Sequence, residues 1–208
     1  KGLVQQLASG MDLALPESAD LEGLGRFCAL LWDANSRTNL VGAKTPEILV
    51  ELALADALVA LRWLDPIPSN VIDVGSGPGL PGLPLALLAP ALPRVLLVEP
   101  RRLRVEFMEH ACAQLKLGAR VEVLKSKVHA GNAVTFRCPG NVAIARAVLP
   151  PDAWLALAAT FAETAVVFTK PAASYAGPPG ARRLATASYR LPIAGSSRLQ
   201  QCWALDAS

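Results

Sequence analysis

Residues 70–82, Asn-Val-Ile-Asp-Val-Gly-Ser-Gly-Pro-Gly-Leu-Pro-Gly, constrain the fold of this chain more than any other stretch. An apolar strand ends in an acid and then breaks into four glycines within eight positions. Gly75, Gly77 and Gly79 allow a positive φ and let the backbone approach a ligand with no Cβ in the way. The apolar run 83–88 suits a helix packed on the sheet, and 94–99 supplies a second strand whose terminal acid can accept bonds from two ribose hydroxyls. Strand, glycine loop, helix and acid-ended strand in this order make a βαβ unit that binds a nucleotide-like cofactor. A bare surface turn would account for the glycines and prolines but not for the acid-ended second strand.

The glycine spacing alone leaves the cofactor open, because Gly77-Pro-Gly79-Leu-Pro-Gly82 formally satisfies the dinucleotide pattern G-x-G-x-x-G. A pyrophosphate, however, is held by free N–H groups at a helix N-terminus. Pro78, Pro81 and Pro84 each remove such a donor. No Lys-Ser/Thr pair follows, which excludes a P-loop. A ligand with adenosine and an amino acid but no phosphate fits better, and Asp73, just before the first glycine, is placed to face its ammonium group. S-adenosylmethionine is the cofactor expected, and a nicotinamide-dependent dehydrogenase is the reading that the prolines disfavour.

The 208 residues, 52% of them hydrophobic, suffice for one domain with a sizeable core. Apolar stretches are cut by prolines, and the N-terminus shows no basic region leading into an apolar segment and cleavage site, so no membrane span or signal peptide is expected. Cys28, Cys112, Cys138 and Cys202 lie far apart, and His110 and His129 are the two histidines; a metal site is not expected, and the thiols suit a cytoplasmic location. Charge is uneven along the chain. Residues 1–66 carry five Lys/Arg against nine Asp/Glu, whereas 94–208 carry fifteen against seven. A basic half that follows the cofactor loop suits a polyanionic substrate, although a solvated basic face has the same signature.

Residues 1–66 read as a helical cap belonging to the same unit, and 67–208 as the cofactor-binding domain. In the cap, Leu21, Leu24, Phe27, Cys28 and Leu31 recur at helical spacing, residues 35–39 break that helix, and Thr45-Pro46-Glu47 opens another that runs to about residue 64. Further along, 102–117 read as an amphipathic helix closed by Gly118, 121–124 as a third strand, 141–148 as a fourth, 150–163 as a helix and 164–169 as a fifth strand. A Pro/Gly-rich loop over 171–180 leads to strands near 187–192 and 199–205, which leave no room for a crossover helix and should pair antiparallel. The fold class expected is α/β, Rossmann-like, with a mostly parallel twisted sheet, an antiparallel C-terminal strand and an N-terminal helical cap.

Residues 72–85, Ile-Asp-Val-Gly-Ser-Gly-Pro-Gly-Leu-Pro-Gly-Leu-Pro-Leu, resemble the bacterial small-subunit ribosomal RNA guanine-N7 methyltransferases, also called the glucose-inhibited division protein B family. The Gly-Leu/Phe-Pro-Gly continuation separates that family from generic methyltransferases. Supporting matches are Asn39-Leu40, Pro46, Asp56, Arg104 with Phe107, and Ala145-Arg146-Ala147, so the resemblance covers nearly the whole chain. It implies a class I S-adenosylmethionine-dependent methyltransferase fold and a monomer acting on N7 of a guanine in 16S ribosomal RNA, free or in the small subunit. Another RNA or a small-molecule acceptor is the alternative. The resemblance further implies that Gly75, Gly77 and Leu80 line the cofactor loop, that Glu99 holds the ribose and that Val128 and His129 flank the adenine. Arg146 is implied beside the methionine part or the target base. Arg146 and Asp56 are thus the candidate catalytic residues, and the basic half of the chain supplies Arg101, Arg102, Lys125, Lys127 and Arg198 as candidate RNA contacts. A purely structural Arg146 would pair with an acid such as Asp152.

The chain also departs from the family. An Arg-His-x-x-Asp-Ser pattern stands here as Leu52-Ala53-Leu54-Ala55-Asp56-Ala57, a Lys-Gly pair as Lys170-Pro171, and an Arg-His pair as Arg198-Leu199. These changes point to altered substrate contacts. The implied chemistry asks little of the protein, since guanine N7 carries a lone pair and no proton, so displacement needs alignment and no obligatory base. The product purine is cationic, and an acid near it, Asp56 or Asp73, would lower the barrier electrostatically.

Overall fold

The computed structural model describes residues 2–171 and 177–206. The cap comprises α1 (Gly2–Gly10), α2 (Leu21–Thr38) and α3 (Pro46–Ala60). The carboxylate of Asp20 caps α2 by accepting the Gly23 N–H at 2.7 Å, and Thr45 caps α3, whose Pro46 fills the first turn where no N–H is needed. The break expected over 35–39 comes only at Asn39, in the left-handed conformation with φ +46°. Inside that last turn Ser36 and Thr38 donate their hydroxyls back to the carbonyls of Asp33 and Ala34, so residues that favour turns are absorbed into the helix. The helix opened by Pro46 ends at Ala60, and a single 3-10 turn carries it to Trp63. Helix α1 was not expected from the sequence.

Seven strands form one sheet: β1 (Asn70–Val74), β2 (Val95–Val98), β3 (Val121–Leu124), β4 (Asn141–Arg146), β5 (Thr164–Thr169), β6 (Ala181–Arg190) and β7 (Ser197–Leu205), in the order β3-β2-β1-β4-β5-β7-β6. The first five run parallel, and β7 is antiparallel to both of its neighbours. Helices α4 (Gly82–Leu88), α5 (Arg102–Gln114) and α6 (Pro151–Ala158) follow β1, β2 and β4. Strand β4 stops two residues short of the expected end because Ala147 takes φ +57°. Strand β6 begins six residues earlier than expected. Its residues 182–186 are all exposed, with a register shift between Arg183 and Ala185, so this edge strand carries no apolar alternation to read. The expected loop over 171–180 lies in part, at 172–176, outside the described residues.

Strand alternation divides the core between the two sheet faces. Val71, Leu97, Ile144 and Val166 pack with the cap helices, α4 and α5, while Ile72, Leu96, Ala143 and Ala165 pack with Trp154, Phe161 and Trp203. The order reverses at β1, which lies between β2 and β4. In open α/β sheets ligands bind outside the carboxyl ends of the strands at such a switch point. Among the described residues no helix is long and apolar enough to cross a membrane.

Candidate active site

The carboxyl ends of β1, β2 and β4 open into a cleft of about 620 Å³. Its floor is the glycine loop. Gly75 has φ +70° and lies against Val148, so close that a Cβ there would come within 2.4 Å of the Val148 side chain. Gly77 has φ +58°, and its N–H donates to Glu99 Oε2 at 2.9 Å. The other Glu99 oxygen, Oε1, accepts the Arg101 N–H at 3.0 Å, and the Arg104 guanidinium stands 3.6 Å from Oε2. Glu99 therefore ties the glycine loop to the start of α5 while lining the cleft.

Asp73 lies beneath this floor and does not reach the cleft wall. It belongs to the face of β1 under α4, is fully buried, and its Oδ2 accepts the Gly82 N–H at 2.9 Å; Oδ1 has no hydrogen-bond partner among the described residues. Burial pushes its carboxyl up from 3.8 to about 7; the Gly82 bond and Arg146 pull it down, and Glu99 pushes it up further. A folded-state value above the unfolded one means that the native protein holds the extra proton, so stability falls as pH rises from about 4 to about 7. Asp73→Asn keeps an acceptor for Gly82 and removes the charge. The Tm advantage of this variant over the parent should grow between about pH 5 and about pH 8, and a pH-independent difference would contradict the assignment.

A second cleft of about 600 Å³ adjoins the first and shares Leu40, Arg146 and Ala147 with it. Between the two, α3 meets the β6–β7 hairpin through Asp56. Asp56 Oδ2 accepts from Arg146 at 2.9 Å and from Arg198 at 2.5 Å, and Oδ1 accepts from Arg198 and from the Tyr189 hydroxyl, each at 2.6 Å. Gln200 donates to the Asp56 carbonyl at 2.7 Å and to the Tyr189 oxygen at 3.0 Å, and accepts from Trp63 at 3.0 Å. Burial pushes the Asp56 carboxyl up, but the Arg146 and Arg198 guanidiniums and the Tyr189 hydroxyl outweigh it and hold the carboxyl below its usual range. Burial raises the Tyr189 phenol, with the Asp56 charge reinforcing the effect, so it remains a donor. The Arg146 and Arg198 side chains keep 27% and 25% of their surface exposed against 2% for Asp56, so the cations face the clefts and the acid stays behind them.

Of the residues singled out from sequence, Gly75, Gly77, Leu80, Glu99, Arg101, Lys127, Val128 and Arg146 line the first cleft, and Asp56, Arg146 and Arg198 line the second. His129 does not line the first cleft; its ring Nδ1 accepts the Gly131 N–H at 3.1 Å in the turn that follows. Arg102 and Lys125 are exposed outside both clefts, Arg102 pairing with Glu106 at 3.1 Å. Arg146 pairs with Asp56 and not with Asp152. Sequence reasoning missed Tyr189 and Gln200, whose only signal was a tyrosine and a glutamine in otherwise ordinary strand segments. Among the described residues no group of three metal-ligating side chains stands together.

Comparison with known proteins identifies the fold and the family. The chain is 34% identical to the ribosomal RNA small subunit methyltransferase G of Nitrosomonas eutropha over 55% of its own length, an alignment that spans about half of that relative (54%). It is 35% identical to the protein of the same name from Myxococcus xanthus over 93% of both chains. Among solved structures, magnesium protoporphyrin IX methyltransferase of Synechocystis PCC 6803, determined with S-adenosylmethionine bound, superposes with a TM-score of 0.57 at 16% identity, covering 86% of this chain and 97% of that one. That likeness establishes the class I methyltransferase fold. Residues 20–169 match the family model for rRNA small subunit methyltransferase G, GidB, and the chain belongs to that family.

Proposed function

We propose that this chain transfers the methyl group of S-adenosylmethionine to N7 of a guanine in 16S ribosomal RNA, with the cofactor in the first cleft and the target base in the second. The observation that carries the reading is the seam between the clefts. They join at Arg146-Ala147, so ligands in the two would meet there. The residues of the first cleft fit the cofactor. Glu99, although it already accepts two N–H groups, retains lone pairs for ribose hydroxyls. The positive φ of Gly77 brings the loop backbone to the cleft with no Cβ in the way, and Val128 offers an apolar surface to a base. When bound, the cofactor supplies an electrophilic sulfonium methyl.

The chain's own residues then have to align the acceptor, which is most of what an N7 transfer requires. Arg146, held from behind by Asp56, borders both clefts and orients what lies at the seam. Asp56 spends its charge on two guanidiniums, so its part is to position Arg146 and Arg198 rather than to face the product cation. Arg101 and Lys127 on the rim of the first cleft, with Arg102 and Lys125 exposed nearby, suit phosphate contacts that position the RNA. The partner on this reading is 16S ribosomal RNA, free or in the small subunit, and the setting is the cytoplasm. Calorimetric titration tests the cofactor half. Glu99→Ala should weaken S-adenosylmethionine binding by about 1.5–3 kcal/mol, the range for hydrogen bonds to a charged group. Unchanged affinity would move the ribose elsewhere, and NAD binding by the parent protein would contradict the reading.

A further inference from the structure

Glu51 lies on α3 five residues before Asp56 and is fully buried, with no cationic partner among the described residues. Its two carboxylate oxygens accept the backbone N–H groups of Ile193, at 2.6 Å, and Ala194, at 2.7 Å. Both donors belong to the turn between β6 and β7. That turn is exposed throughout residues 192–197, Ile193 by 53%. Burying a carboxylate without a counter-charge is expensive, and an apolar side chain would fill the same space at less cost. What the carboxylate adds is a fixed grip on two adjacent N–H groups of an otherwise solvated turn. The turn's own bonds, Leu191 N–H to the Ser196 carbonyl and Gly195 N–H to the Leu191 carbonyl, close it on itself and do not tie it to α3.

Ser196, Ser197 and Arg198 follow directly and line the second cleft together with Leu52 and Asp56 of α3. Helix α3 therefore holds the hairpin twice, by Glu51 at the turn and by Asp56 through Tyr189 and Arg198 at the stem. We propose that Glu51 is a positioning residue for the acceptor: its clamp on Ile193 and Ala194 sets the width of the second cleft. This inference rests on the reading of that cleft as the acceptor side.

The test compares Glu51→Gln with Arg198→Ala in steady-state methylation of 16S ribosomal RNA, with S-adenosylmethionine affinity and Tm measured on the same preparations. The amide keeps one acceptor but turns a donor toward the other N–H. Ala194→Pro removes that N–H from the exposed side and leaves α3 untouched, which keeps the test open if Glu51→Gln does not fold. For Glu51→Gln and Ala194→Pro the expected result is a rise in RNA KM of about tenfold or more, with cofactor affinity changed by less than about twofold. If Arg198→Ala raises the RNA KM and the clamp variants lower only Tm, Glu51 is structural and the inference is overturned while the acceptor reading stands. If Arg198→Ala also leaves the RNA KM unchanged, the acceptor reading falls and the clamp inference falls with it.

Discussion

Replacing Arg146 by alanine should lower methyl transfer by about a hundredfold in a protein that still folds. The stability loss is contained because Asp56 keeps Arg198 and the Tyr189 hydroxyl after Arg146 is gone, so no unpaired buried charge remains. The expected rate loss is large because Arg146 is the charged residue among the three that border both clefts, and a misplacement of about 1 Å at a reacting pair costs about a hundredfold. Single-turnover rates and Tm measured together check this. A folded variant with the parental rate would return Arg146 to a purely structural role.

Asp56→Ala acts in the opposite proportion. It strands the Arg146 and Arg198 guanidiniums side by side and deprives Tyr189 of its acceptor; because the two arginine side chains keep 27% and 25% of their surface exposed, the cost lies near the lower end of the range of about 3–5 kcal/mol for one partner lost from a buried ion pair. For a chain of this size that is a fall in Tm of about 10 °C. The pH dependence of this contribution has a definite sign. The folded-state carboxyl is held below 3.8, so its stabilisation is fully present above that value and is lost only as pH falls through the lower, folded one. The Tm difference between parent and variant should therefore stay constant from neutral pH down to about pH 5 and shrink only in stronger acid. A difference that disappears near neutrality would show that Asp56 is not ionised as described.

How much of this was legible in the sequence follows the range of the interactions. Gly75, Gly77, Leu80 and Glu99 lie within one βαβ unit, where local spacing states both the backbone conformation and the side of the sheet. The near-continuous apolar runs of β1, β2 and β4 likewise suit strands buried on both faces. Asp73 shows the limit of that reading, since its strand position is evident but its orientation under α4 depends on Gly82 and Leu97 packing against it. The Asp56 network was out of reach. Its partners stand 90, 133 and 142 residues away, and no spacing rule links a helix in the cap to the last hairpin. Strand β6 was misjudged because an exposed edge strand is ordered by its backbone ladder to β7 rather than by a buried face. Charge singles out Arg198 as a cation, but only the structure shows that Asp56 holds its guanidinium at the wall of the second cleft.

On the proposed reading, two clefts meeting at Arg146 deliver a methyl group to one guanine N7. The most direct measurement is incubation of the purified protein and isotopically labelled S-adenosylmethionine with 16S ribosomal RNA and with small subunits from a strain lacking the activity, followed by mass-spectrometric mapping of the labelled nucleotide. The expected result is label on a single nucleotide, as 7-methylguanine, appearing about a hundredfold more slowly with the Arg146→Ala variant. Label on another atom, on several bases, or none on either substrate while the protein binds the cofactor would contradict it.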